Sequence, residues 1–400
     1  MKKERLLIFG NYGWNNTGDD AMLYGLLQEL AAFHRESEFV IPSRIPVTVP
    51  AHVKNRVRFV KPSPIHVLWE MVRASLFIVG GGTHLHDYGR RRNRISVLLA
   101  FLIIVFLAKM LRNEVYLISN GIGPITTIWG RALTRLICRR ADYITVRDQA
   151  SYGILEALGL ANRISLAFDL SALLPLPDES HGNQVGEGVN GRILGVSVTP
   201  VFELYHGDRD KDLSIVNEIG EQLSLWLSKT PDLKVFLFIF KDKPRNDDVH
   251  ITRLLVEQLR PVEQVTIIPY NLDSVSTLAK VSKCYAFIGM KYHSSLFAYL
   301  GNVPLLIIDY HPKCRALAEE IGLANRATIS LHEILNGEFG ERLRNLLEYP
   351  EGFLATLSVS LAKERARTMP NMKRHNLPPG IDSQPSDNKL DIRVDAVKGA

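Results

Sequence analysis

Short apolar runs alternate with longer amphipathic stretches along the whole chain. RLLIFG, ASLFIVGGG, EVYLISNGIG and ADYITVRD lie in the first half, and RILGVSV, LKVFLFIF, QVTIIPY, CYAFIGM and VPLLIIDY in the second. Each is nearly continuous in apolar residues, as strands covered on both faces are. Strands of that kind separated by helical periodicity predict an α/β chain with parallel sheets. Residues 176–192, LPDESHGNQVGEGVNGR, interrupt the alternation with proline, glycine and few apolar positions, and read as a linker between two domains, residues 1–175 and 193–368. The polar, proline-bearing segment 369–400 has no periodicity and is expected to be disordered. The halves echo each other, each placing histidine just after a strand that ends in glycine, so two similar α/β domains facing across a cleft are expected.

Composition narrows the class. A chain of 400 residues with 46% hydrophobic content can bury more than one core. Cys138, Cys284 and Cys314 lie far apart with no CxxC pair, which argues against a disulfide framework or a structural zinc and for a reducing, cytoplasmic setting. The opening MKKERLLIFGNYG has too short an apolar run for a secretory leader and reads as a first strand. The longest apolar run, residues 97–108, falls short of the roughly 20 residues needed to span a bilayer and is expected to be a buried helix. The formal charge of +6 gathers in RRRNR at residues 90–94 and in residues 363–374, without a nucleic-acid-binding signature. No nucleic acid partner is expected. An anionic small substrate suits this charge, as does peripheral contact of RRRNR and the apolar helix with an anionic membrane surface.

Candidate chemistry follows from the rule that open α/β sheets bind ligands at the carboxyl ends of their strands, where helix amino termini favour anions. Five loops qualify. The first, residues 10–20, carries Asn11, Gly13, Gly18, Asp19 and Asp20 but matches neither GxGxxG nor a Walker loop. Its carboxylates either cap a helix or line a site. The second holds Gly81, Gly82 and Thr83, a turn in which glycine permits unusual dihedrals or close approach to a ligand. His84, His86 and Asp87 follow, but no second cluster at ligand spacing accompanies them, so no metal is expected. Gly121 and Gly123 mark the third. In the fourth, Arg147 directly follows a strand and precedes Asp148, a candidate cap, leaving its guanidinium either solvated or clamped on a carboxylate or phosphate. The fifth region pairs Lys291 and His293 after one strand with Asp309, His311 and Lys313 after the next, so two basic centres converge on one rim.

Taken in order, these motifs resemble the polysaccharide pyruvyl transferases. NYGWNNTGDDAML matches that family's opening Asn-x-Gly and Gly-Asp pattern, FIVGGGT its glycine-rich strand end, and GIGP is intact at residues 121–124. VRDQAS, Asp169 in FDLSALL, and KYHSSLFA followed by PLLIIDYHPK complete the series over residues 6–323. The resemblance implies a GT-B-like fold of two Rossmann-like parallel-sheet domains facing a cleft, the first on the acceptor side and the second on the donor side. It implies transfer of pyruvate from phosphoenolpyruvate, a co-substrate needing no other cofactor, to a sugar of a cell-surface polysaccharide or its lipid-linked precursor, giving a pyruvate ketal. By the same resemblance His293 is the general acid, and Arg147, Lys313 and Lys291 bind the donor. Asn11, Gly13, Gly18, Asp19, Gly81, Gly82, Thr83, Gly121 and Gly123 then form acceptor or backbone loops. Lys291 departs from the family, which has arginine there, and YGRRRNR is an insertion-like departure. A GT-B glycosyltransferase using a nucleotide sugar is the alternative enzyme, and a sugar-binding scaffold the non-enzymatic one.

Overall fold

The computed structural model describes residues 4–87, 94–176, 191–243, 248–323 and 325–367. Most of the linker, the whole 369–400 segment and residues 90–93 of the basic cluster lie outside that set.

Two parallel sheets form, each with helices on both faces. The first consists of β1 (Arg5–Phe9), β2 (Glu38–Pro42), β3 (Val57–Val60), β4 (Leu76–Gly80), β5 (Glu114–Asn120), β6 (Tyr143–Val146) and β7 (Ser165–Leu166), in the order β3-β2-β1-β4-β5-β6-β7. The second consists of β8 (Arg192–Ser197), β9 (Leu233–Phe238), β10 (Val265–Ile268), β11 (Ala286–Gly289), β12 (Leu305–Asp309) and β13 (Thr328–Ser330), in the order β10-β9-β8-β11-β12-β13. Every pairing is parallel. The strands are apolar on both faces because helices cover both: Leu6 and Ile8 of β1 join one core and Leu7 the other, all fully buried. In each sheet the chain reverses direction of travel between its first and fourth strands, β1/β4 and β8/β11. That reversal opens a crevice at the carboxyl ends.

The halves meet at those ends. Thr17 N–H donates to the Phe240 carbonyl at 3.0 Å, Asp242 N–H to the Asn15 carbonyl at 3.0 Å, and Ser274 Oγ to the Thr17 carbonyl at 3.1 Å. The loop after β1 is thereby pinned to the loop after β9. The helix Val359–Ala366, late in the chain, returns to pack on the 3-10 turn Leu170–Leu173 of the first half, and Tyr299 Oη reaches its cap residue Ser358.

One expectation changes. The run at 97–108 does form a helix, Arg94–Met110, and Leu98, Phe101, Val105 and Ala108 are buried along one stripe. Leu99, Ile103, Phe106 and Met110, at the complementary spacing, face outward. Only one face of this helix meets the sheet, so continuous apolarity did not mean full burial.

Candidate functional site

The site is built where both crevices face each other. Arg147 follows β6 directly and its neighbour Asp148 caps the helix Gln149–Ala157, accepting from Ser151 N–H at 2.7 Å. This fixes the direction in which Arg147 leaves the sheet. Its guanidinium is neither solvated nor on the rim: the side chain is only 4% exposed. Nε donates to Asp148 Oδ2 at 3.2 Å, Nη1 to Asp169 Oδ2 at 3.4 Å and Nη2 to Thr83 Oγ1 at 3.4 Å, and the group lies 4.2 Å over the Tyr292 ring. Burial opposes the charge of Arg147, but Tyr292, Asp148 and Asp169 outweigh it and hold the cation more firmly than usual.

His293 enters from the other half, in the first turn of the helix Tyr292–Leu300 that follows β11. Its Nε2 lies 3.7 Å from Asp169 Oδ2 and finds no hydrogen-bond partner among the described residues. Burial raises the Asp169 carboxyl, but His293 and Arg147 outweigh burial and hold it down at about 2, so it is ionised. Against the opposite edge of the imidazole sits Gly18, in the first turn of the helix Thr17–Phe33: a Cβ there would lie 2.0 Å from His293 Nδ1. The glycine permits a contact between halves that no other residue allows.

The remaining cations differ in how they are held. Lys291 precedes His293 and its Nζ is tied to the buried Asp248 Oδ1 at 2.9 Å. Lys313, in the first turn of Pro312–Glu320 after β12, has no ion-pair partner among the described residues. Burial lowers its pKa, the charges of Arg147 and Lys291 push the same way, and Cys314 and Asp19 oppose them. Lys241 stands just past the end of β9. Burial and Lys291 lower its ammonium to about 8 against the opposing charges of Asp248 and Asp19, and it too lacks an ion-pair partner among the described residues.

Asp19 and Asp20 do not cap their helix. The cap position is Asn16, whose Nδ2 donates to Asp19 Oδ2 at 2.6 Å. Burial raises the Asp19 carboxyl, with His293, Asn16, Lys241 and Lys313 pulling it back, so Asp19 faces the same centre. Asp20 turns the other way, accepting from Gly13 N–H at 2.9 Å and from Tyr270 Oη of the other half at 2.8 Å. Burial lifts it to about 7 despite both bonds.

The glycine loops brace one another beneath Arg147. Gly81 and Gly82 take positive φ of 66° and 73°, which glycine adopts without strain. Gly121 N–H donates to the Gly82 carbonyl at 2.8 Å and Gly123 N–H to the Leu85 carbonyl at 2.7 Å. A Cβ on Gly121 would press on both Arg147 and Thr83, whereas Gly123 faces Ile154 in the core. Thus Gly18, Asp19, Thr83, Gly121, Arg147, Lys291, His293 and Lys313 come together. Asn11 is exposed and Gly13 packs on Ser43 and Ile45, so neither reaches that centre. His84 stacks on Phe101, its charge suppressed by burial and by His86, and Asp87 anchors Thr126 and Thr127. His311 caps its own helix through Lys313 N–H, and Asp309 is held by Arg315.

Sequence reasoning missed Lys241 and Asp248. Lys241 follows FLFIF as directly as Arg147 follows YITV, so the same rule finds it. Asp248 carries no such mark, because only the fold brings it under Lys291.

Two doubly wound parallel sheets with a charged site at their opposed carboxyl ends define a GT-B-like α/β protein. The family model for polysaccharide pyruvyl transferase matches residues 16–312, and the chain belongs to that family. It is 16% identical over 405 residues to the amylovoran biosynthesis protein AmsJ of Erwinia amylovora, covering 90% of this chain and 96% of that protein. Among solved structures, a UDP-N-acetylglucosamine 2-epimerase from Listeria monocytogenes is similar at a TM-score of 0.60 and 11% identity, covering 94% of this chain and 98% of that one. HepE of Anabaena, solved with UDP-glucose, is similar at 0.58 and 13%, covering 92% and 97%. At these identities the structural likeness speaks for the fold alone. The chain is a transferase of polysaccharide biosynthesis.

Proposed function

We propose that the chain transfers pyruvate from phosphoenolpyruvate to two hydroxyls of a sugar, in a polysaccharide or its lipid-linked precursor, forming a pyruvate ketal and releasing phosphate. The reading is carried by the charge balance at the buried centre. Asp148 and Asp169 set two carboxylates against the single cation Arg147, and the His293 imidazole stands 3.7 Å from Asp169 in the same buried centre. A histidine held against a carboxylate in that way is placed to serve as a general acid.

The chemistry then runs in four moves. His293 gives its proton to the methylene carbon of the donor, leaving positive charge on the adjacent carbon. A sugar hydroxyl attacks that carbon. Phosphate departs with the C–O bond electrons, and a second hydroxyl closes the ring. Of the two hydroxyl protons released, one restores His293 and the other leaves with phosphate. The donor's carboxylate and phosphate need cations not already neutralised, and Lys313 and Lys241 meet that need better than Lys291, which is committed to Asp248. The amino termini of Tyr292–Leu300 and Pro312–Glu320 add backbone donors. Asp19 faces His293 and is available to the acceptor hydroxyl. The site is proposed to work in the cytoplasm, on a substrate delivered there.

A thermal shift tests the donor. Binding at 100 times the dissociation constant adds about 2.7 kcal/mol of apparent stability. Phosphoenolpyruvate is expected to raise the melting temperature, Lys313→Met to shrink that rise, and nucleoside diphosphates to leave it flat. Stabilisation by UDP with indifference to phosphoenolpyruvate would transfer the chain to the nucleotide-sugar enzymes, whose fold it shares.

Gly18 supplies a second test. Alanine is normally the better helix residue by about 1 kcal/mol, yet here its Cβ must displace the His293 imidazole. Misplacing a reacting group by about 1 Å costs on the order of 100-fold in rate. Gly18→Ala is therefore expected to keep its fold and lose about that factor in turnover. An unchanged rate of phosphate release would show that the imidazole does not act from this position.

A further inference from the structure

Two helices of the first half that pack against each other expose apolar side chains that no part of the described chain covers. On Arg94–Met110 these are Leu99, Ile103, Phe106 and Met110 in one stripe. On Ile128–Arg140 they are Ile128, 83% exposed, Trp129, 72% exposed, and Leu136. A patch of this reach on one face marks an interaction surface.

Its charge selects the occupant. Arg131, Arg135, Arg139 and Arg140 are exposed on Ile128–Arg140, and neither that helix nor Arg94–Met110 contains an acidic residue. Arg140 lies 5.4 Å over the Phe106 ring, its charge at the border of the apolar stripe. A second copy docked through this same face would set arginines against arginines. Tryptophan and arginine around an apolar ridge instead match the boundary between headgroups and acyl chains. Among the described residues no helix is long and apolar enough to cross a bilayer, so the contact is one of surface rather than span.

We propose that this face docks on an anionic phospholipid surface, with Ile128 and Trp129 inserted among the acyl chains and the four arginines on the headgroups. Position gives the contact a purpose. Helices after parallel strands begin at the carboxyl end of the sheet, so Ile128 and Trp129 stand on the same edge as Gly121 and Gly123, in the loop directly before them. Docking there brings the acceptor-side loops to the membrane, where a lipid-linked sugar would be presented. That last step rests on the pyruvyl-transfer reading; the docking itself does not.

Co-sedimentation of the full chain with vesicles, without donor or acceptor, tests it. Binding is expected to vesicles containing phosphatidylglycerol and not to phosphatidylcholine alone, and to weaken steeply with salt. Each Arg→Gln change among the four is expected to weaken it about five-fold, and Ile128→Ser with Trp129→Ser to weaken it further at high salt, where insertion carries the contact. Both apolar side chains are largely in water, so these variants keep their fold and their turnover of a water-soluble acceptor. Absence of binding at low salt, equal binding to neutral vesicles, or self-association abolished by Ile103→Ser and Phe106→Ser would overturn the proposal. A phosphoenolpyruvate thermal shift that survives any of these outcomes shows that docking alone has failed.

Discussion

Replacing His293 with glutamine is expected to lower phosphate release from phosphoenolpyruvate and an acceptor by 100-fold or more, the usual scale for a positioned acid, while the protein still folds with at most a modest fall in melting temperature. The two halves of this expectation come from the same geometry. The imidazole stands between Gly18 and Asp169, with its ring fixed by both halves, where a side chain able to give a proton can act as a positioned general acid. Its Nε2 makes no hydrogen bond within ordinary distance among the described residues, so glutamine gives up only the 3.7 Å contact with Asp169. Steady-state kinetics beside a melting curve decides the matter: near wild-type turnover in His293→Gln removes the residue from the chemistry, and loss of both turnover and fold makes it structural.

Much of this was legible because parallel strands buried on both faces leave a strong mark. Runs such as FIVGGG and YITVRD announce both a strand and the polar residue at its carboxyl end. Arg147 could therefore be placed at the carboxyl end of a strand in the first half, and His293 and Lys313 on one rim of the second, before any coordinates. What could not be read was pairing between halves. Asp169 faces His293, Asp248 takes Lys291, and Gly18 abuts an imidazole 275 positions away, contacts created only when the two sheets face each other. The helix Arg94–Met110 shows the converse limit. Apolar periodicity reports which residues can be buried, and solvent on one side of a layer decides which ones are.

The same buried pairing separates two substitutions that look equivalent from the sequence. Arg147→Ala removes the one cation that, among the described residues, pairs with both Asp148 and Asp169, and takes the guanidinium away from the Tyr292 ring, which belongs to the other half. Breaking one side of a buried ion network costs about 3–5 kcal/mol, because the remaining charges have no water to turn to. Arg147→Ala is thus expected to lose that much in urea unfolding, with the loss easing at acid pH as Asp169, held at about 2 while paired, regains an ordinary carboxylate pKa and protonates. Its missing response to phosphoenolpyruvate would then say little about the ligand. Lys313 is only partly buried and, among the described residues, opposes no carboxylate within ion-pair distance. Lys313→Met is expected to fold within about 1 kcal/mol of the parent, in the range of substitutions that break no network, and still to lose most of the phosphoenolpyruvate shift. Equal destabilisation of the two variants would mean that Lys313 belongs to the scaffold. An Arg147→Ala protein as stable as the parent would mean that the carboxylates beneath it are not held as described, and with them the charge balance on which the role of His293 depends.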